Sequence, residues 1–185
     1  MTKEEFIKYC SEINIKITDI LYDKLYKYYE LLNEYNKKFN MTTITSYEDV
    51  FLLHFYDSLC INKTGYLNDK DNIKLLDFGT GAGFPGMVIA IIYSNINVTL
   101  IESNAKKCLF LNLIKQELKL DNVNHDTISG FVLHLLGEIP DDNQERSVTY
   151  ENLTFKITGV KGNRVTKIKL TIKKSEEKES DSSED

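Results

Sequence analysis

Leu75-Leu-Asp-Phe-Gly79-Thr-Gly-Ala-Gly83-Phe-Pro-Gly86 is the stretch that decides the fold of the 185-residue chain. Ile73-Lys-Leu-Leu-Asp-Phe78 reads as a short strand, and four glycines within eight residues read as the turn that follows it. Glycine at such a turn lets the backbone take positive φ and approach a ligand closely, and the helix that follows presents N–H groups without partners. Pro85 suits a first helical position, and the helix is expected to run to about Tyr93.

Outward from this bend the pattern repeats. Asn97-Val-Thr-Leu-Ile-Glu102 reads as a second strand and Ala105–Leu118 as a second helix, with Leu109, Leu113 and Leu118 on one side. Strand–helix–strand–helix implies a right-handed parallel crossover. Upstream, Leu21, Leu25, Tyr28, Leu32, Tyr35 and Phe39 recur at 4-3-4-3-4 spacing. They mark one face of an amphipathic helix over residues 19–39, with Thr18 as its N-cap. Ser46-x-x-Asp49 has capping-box character and opens a further helix through Val50–Leu59. Gly65–Asn72 reads as a loop.

Downstream, a third strand is expected to start near Asn122-Val-Asn but not to continue. Asp126 instead caps a helix over Ile128–Leu136, which Gly137 and Pro140 stop. Leu153, Phe155 and Ile157, then Ile168, Leu170 and Ile172, alternate with polar residues around a Gly162-Asn163 turn, which predicts a half-exposed antiparallel hairpin. The expected fold class is α/β: N-terminal helices and a truncated Rossmann-like sheet, followed by a small α+β domain. The domain bounds are 1–124, 125–174 and an acidic tail at 175–185.

That tail holds six acids and one lysine of a chain whose net charge is −5, so the remaining body is neutral, with 22 basic and 22 acidic residues. The tail has no core-forming residue and is expected to be disordered. The acidic balance is therefore no argument against RNA binding. No apolar run approaches the roughly 20 residues that span a bilayer, and the N-terminus lacks the cationic and apolar segments of a signal peptide. The expectation is a cytoplasmic protein without membrane insertion. Cys10, Cys60 and Cys108, odd in number and widely spaced, support neither a disulfide framework nor a zinc site.

Gly81, Gly83 and Gly86 also satisfy G-x-G-x-x-G, so a dinucleotide site stands as an alternative. Two carboxylates favour S-adenosylmethionine (SAM). Asp77 precedes the first glycine, where it would repel a pyrophosphate but neutralise a cationic methionine end. Glu102, closing the second strand, can accept ribose hydroxyls, a feature shared with dinucleotide sites. The cofactor-binding candidates are Asp77, Gly79, Gly81, Gly83, Phe84 and Glu102. His54, Asp57 and Ser58 share one helical face and read as helix-to-loop hydrogen bonding or as contact with a substrate base. Lys106 and Lys107 could meet phosphates or simply face solvent.

Tyr35-Asn-Lys-Lys-Phe-Asn-Met-Thr42, His54-Phe-Tyr-Asp-Ser-Leu59, the glycine bend, Leu100-Ile-Glu-Ser-Asn-Ala-Lys-Lys107 and Leu118-Lys-Leu-Asp-Asn-Val123 together resemble the ribosomal RNA small subunit methyltransferase G family (glucose-inhibited division B). The resemblance implies SAM-dependent methylation of a guanine N7 in 16S rRNA of the small subunit. By position Gly79 and Phe84 would line the SAM pocket and Glu102 would face the ribose. N7 needs no base to remove a proton, so no catalytic residue is assigned. From about Asp126 the chain resembles the CorC/HlyC transporter-associated domain instead, through Thr127–Pro140, Val148–Ile157 and Arg164–Leu170. That implies a regulatory module, with possible transporter contact and no catalytic residues to carry over. Lys167, Lys169 and Lys173 form a row that could bind an anion or face solvent. Two competing functions follow: an rRNA methyltransferase impaired by loss of its second half, or a non-enzymatic regulatory module.

Overall fold

The computed structural model describes residues 1–67, 73–142, 144–162 and 164–173. The acidic tail, part of the loop before the first strand, and Asn163 of the hairpin turn lie outside the described residues. The chain forms two compact units, Met1–Ile128 and Ser129–Asp185. It combines a three-stranded parallel sheet with helices and a three-stranded antiparallel sheet, which is α/β followed by α+β.

The first unit opens with α1, Lys3–Glu12, for which sequence periodicity gave no signal. Its local signal is a complete capping box, in which Thr2 and Glu5 each accept the other's backbone N–H. Helix α2 spans Asp19–Phe39 with Thr18 capping Leu21 N–H. Its apolar stripe buries Leu25, Tyr28 and Leu32 completely, while Phe39 at the end is exposed. Ser46 caps α3, Tyr47–Asp49, as its pattern predicts. The continuation is not plain α-helix. Val50–Tyr56 widens into a π-helix, followed by α4 at Asp57–Leu59 and a 3₁₀ turn at Cys60–Thr64. Phe51 and Phe55 on the widened stretch are wholly buried against Phe6 and Tyr28.

Strands β1 (Lys74–Phe78), β2 (Asn97–Ile101) and β3 (Val123–Asp126) form the parallel sheet in the order β1-β2-β3. The expected third strand therefore does form. Asp126 is its last residue, paired with Ile101, and its carboxylate accepts from Thr127 N–H at 2.7 Å rather than capping a helix. Helix α5 runs over Gly86–Ile92, so Pro85 stands at the N-cap, one place ahead of the expected position. Helix α6, Ala105–Glu117, buries Phe110, Leu111 and Ile114. The predicted face was wrong at Leu109, which is 65% exposed. The run Leu-Phe-Leu-Asn-Leu-Ile is apolar on almost every side, and only packing against α2 and the sheet decides which residues turn inward.

The second unit places α7, Ile128–Leu136, with β4 (Arg146–Tyr150), β5 (Leu153–Lys161) and β6 (Arg164–Ile172). The predicted hairpin is β5–β6, and β4 adds antiparallel to β5. Val132, Phe155, Ile157 and Val165 are its buried core, with the Phe131 ring edge-on to Phe155. Among the described residues no helix is long and apolar enough to cross a membrane, and no group of three metal-ligating side chains occurs.

Candidate functional site

The glycine bend lies at the C-terminal end of the parallel sheet, anchored by the strands on both sides. Gly79 and Thr80 N–H both donate to Ile101 O, at 2.8 and 3.2 Å, so the bend begins as an extension of the β1–β2 ladder. Asp77 then folds the bend onto its helix. Its Oδ2 accepts from the Thr80 hydroxyl at 2.6 Å and from Gly86 N–H at 2.9 Å. No hydrogen-bond partner reaches Oδ1 among the described residues. Burial pushes the Asp77 carboxyl above its ordinary range, Thr80 and Gly86 hold it down, and Glu102 adds to the rise.

Glu102 is the second anchor, 8% exposed. Its Oε1 accepts from the N–H groups of Ser103 and Asn104 at 2.7 and 2.8 Å, and its Oε2 accepts from Gly81 N–H at 2.9 Å. These bonds keep a buried charge solvated by backbone donors. Oε2 retains a second lone pair for a further donor.

The glycines divide into two kinds. Gly79 and Gly81 have φ of +82° and +64°. A Cβ on Gly79 would meet nothing within 4 Å, and one on Gly81 would meet only the Lys107 Nζ at 3.9 Å. Both therefore face open space. Gly83, at φ +107°, would drive a Cβ into the Tyr28 hydroxyl and Leu111, and Gly86 would drive one into Leu100 and Asp77. These two are required for close packing.

Beneath the bend, Tyr28 is fully buried and donates its hydroxyl to Ala82 O at 2.5 Å. Its ring stacks against Phe84 at 5.5 Å. The other face of the site is built by the widened helix. The His54 ring lies parallel to Phe84, with centroids 4.3 Å apart and planes at 8°, and its Nε2 meets the Thr42 hydroxyl at 3.0 Å. Burial lowers the His54 imidazole pKa, with Asp57 opposing. The Ser58 hydroxyl donates to His54 O at 2.5 Å. His54, Asp57, Ser58 and Phe84 line a pocket of about 230 Å³, with Leu53, Ile61 and Pro85 as its apolar walls.

The family profile of rRNA small subunit methyltransferase G matches residues 21–127, which contain the whole of this geometry. The chain belongs to that family. Relatives named ribosomal RNA small subunit methyltransferase G include one from Streptococcus gordonii, 44% identical over 124 residues, and one from Streptococcus sanguinis, 43% identical over the same length. Each alignment covers 67% of this chain and 52% of the relative. A Lactococcus lactis relative is 41% identical over 123 residues. The chain thus spans about half the length of the curated relatives it matches. The transporter-associated domain profile matches residues 112–174, overlapping the methyltransferase G match through the C-terminal part of α6 and all of β3.

In this methyltransferase G framework, Asp77 and Glu102 both hold the bend, through Gly86 and Gly81 N–H, while a Cβ on Gly79 or Gly81 would meet no close contact. Gly83 serves the packing behind the bend, and Phe84 turns toward the His54 pocket. Lys106 instead lies over the Phe39 ring at 5.2 Å. Two supporting residues escaped the sequence. Tyr28 was visible only as one apolar member of the α2 stripe. Asn122 donates its amide to Ala90 O, Tyr93 O and Ile96 O at 3.1, 3.1 and 2.9 Å, tying the end of α5 to the start of β2; nothing about an Asn before a strand announces this.

Proposed function

We propose that the first unit is the cofactor-holding half of a SAM-dependent methyltransferase that acts on a guanine N7 of 16S rRNA in the small ribosomal subunit. The observation that carries this is the open face of Gly79 and Gly81 between two carboxylates, Asp77 and Glu102. The residues fit the group. Asp77 Oδ1, without a donor among the described residues and set in a partly buried position, would receive the cationic methionine end. Glu102 Oε2 would take a ribose hydroxyl on its second lone pair, and the bare backbone at Gly79 and Gly81 would admit the nucleoside at van der Waals distance. A pyrophosphate would instead meet two negative charges at close range, which disfavours the dinucleotide alternative. When bound, the cofactor supplies an electrophilic methyl group that N7 can take without first losing a proton.

Under this proposal the residues of the chain position and orient; none has to move a proton. The chain spans about half of its relatives, and among the described residues of the first unit β1 pairs with β2 alone. Turnover by this chain is therefore expected to be weak or absent even where the cofactor binds. Calorimetric titration with SAM tests the binding claim, with NAD as the control. Heat with SAM only, lost in Asp77→Ala and Glu102→Ala, is the expected result; heat with NAD would overturn it. Transfer of labelled methyl groups to small-subunit RNA tests the second claim, and turnover matching a full-length relative would refute impairment.

The match of residues 112–174 to a transporter-associated domain supports an alternative, in which the second unit is a non-enzymatic regulatory module contacting a transporter. SAM-independent behaviour of the whole chain would favour it.

A further inference from the structure

In the pocket between the widened helix and the bend, one carboxylate stands without a hydrogen bond among the described residues. Of its polar lining residues, His54 is engaged with Thr42 through Nε2, and Ser58 is engaged with His54 O. The Asp57 carboxylate has no hydrogen bond among the described residues and is exposed at the pocket. Around it stand an aromatic wall, the parallel His54–Phe84 pair, and the apolar side chains Leu53, Ile61 and Pro85. The volume of about 230 Å³ lies below the roughly 300 Å³ at which sites for drug-sized molecules begin. It suits a single planar ring system.

Building on the function proposed above, we propose that this pocket receives the base to be methylated and selects guanine through Asp57. A carboxylate offers two acceptors side by side. On its Watson–Crick edge guanine alone among the four RNA bases presents two adjacent donors, N1–H and the exocyclic amine, and so pairs with both oxygens. Adenine and cytosine each set a ring nitrogen lone pair beside their single amino group, and uracil flanks its one N–H with carbonyls. Each would leave a carboxylate oxygen facing another acceptor, a mismatch that costs discrimination. Recognition of an unstacked base by its Watson–Crick edge between aromatic and apolar side chains is the usual mode for single-stranded RNA. Guanine held in this way has N7 on the opposite edge, clear of Asp57. Phe84 follows Gly83 directly, so the pocket adjoins the bend that carries the cofactor candidates.

The test uses the full chain, with GMP and AMP as probes; their phosphates are identical, so a difference between them reports the base. Binding is followed by NMR shifts of the His54, Asp57 and Ser58 amides, which detect weak complexes. The expected result is saturable shifts with GMP, at least tenfold weaker binding of AMP, and at least tenfold loss of GMP affinity in Asp57→Asn, while the SAM heat persists. Absence of shifts at these amides, equal affinity for the two nucleotides, or an unaffected Asp57→Asn protein would overturn the proposal. Competition between SAM and GMP for the same amides would also overturn it, by assigning the pocket to the cofactor. Guanine discrimination without any SAM heat would uphold the pocket and refute the cofactor cradle, so the two claims fail separately.

Discussion

Tyr28 shows how a single hydroxyl supports the bend from below. Replacing it with Phe keeps the ring packing against Phe55, Phe84 and Phe110 but leaves Ala82 O without its buried donor. A buried carbonyl stripped of its partner costs about 1–3 kcal/mol. Tyr28→Phe should therefore lower the unfolding free energy extrapolated from chemical denaturation by that amount, and an unchanged value would show that water replaces the hydroxyl. Asp77 offers a pH handle. Its pKa is raised from 3.8 by burial, so the folded chain holds that proton more tightly than the unfolded chain does. Its contribution to stability is thus most favourable below 3.8 and declines as pH rises through the elevated value. A cationic ligand needs the ionised form, so SAM affinity should climb over the same interval and then level off. Calorimetry at stepped pH should show this rise in the parent chain and a flat profile in Asp77→Asn. A parallel rise in the variant would remove Asp77 from the binding step.

At the scale of elements, the bend separates a face that binds from a face that packs. Alanine at Gly79 meets open space, so it adds only the cost of a left-handed residue, about 1–2 kcal/mol, while filling the proposed cradle. Alanine at Gly83 adds a collision with Tyr28 and Leu111, and overpacking of this kind costs typically about 1–3 kcal/mol more. Thermal melts and SAM titration should therefore dissociate the two. Gly79→Ala should lose more binding than stability, and Gly83→Ala should lose the fold first; equal effects on both would erase the distinction. Helix α2 was legible to the residue, because its cap and long apolar stripe are local signals. The bend was legible because glycine spacing and two carboxylates survive in the sequence as identities. Strand β3 was half seen and β4 missed. Val-Asn-His-Asp and Arg-Ser-Val-Thr-Tyr are short and polar, and each becomes a strand only because β2 or β5 supplies the ladder. The π-helix at Val50–Tyr56 was illegible for a different reason. Its apolar spacing fits an α-helix equally well, and what turns Phe51 and Phe55 inward lies on α1 and α2.

At the scale of the whole molecule, each unit has its own core. Ile157 is fully buried in the second unit, and truncation to Ala should cost about 2–5 kcal/mol there. Limited proteolysis should then cut within residues 129–173 while SAM binding by the first unit persists. Loss of SAM heat in Ile157→Ala would show that the first unit depends on the second. Within the first unit, the widest influence belongs to Asn122. Its side-chain amide donates to three carbonyls, while the Asn122 backbone carbonyl accepts from Val98 N–H at 2.8 Å. The side chain thereby sets where β2 begins, and a strand displaced by one residue turns every side chain to its other face. Conversion of this amide to a carboxylate changes almost nothing in shape, yet it would set a negative charge against three carbonyl oxygens. Spontaneous deamidation there would thus act at a distance, as an ageing lesion felt at Glu102 at the far end of the strand.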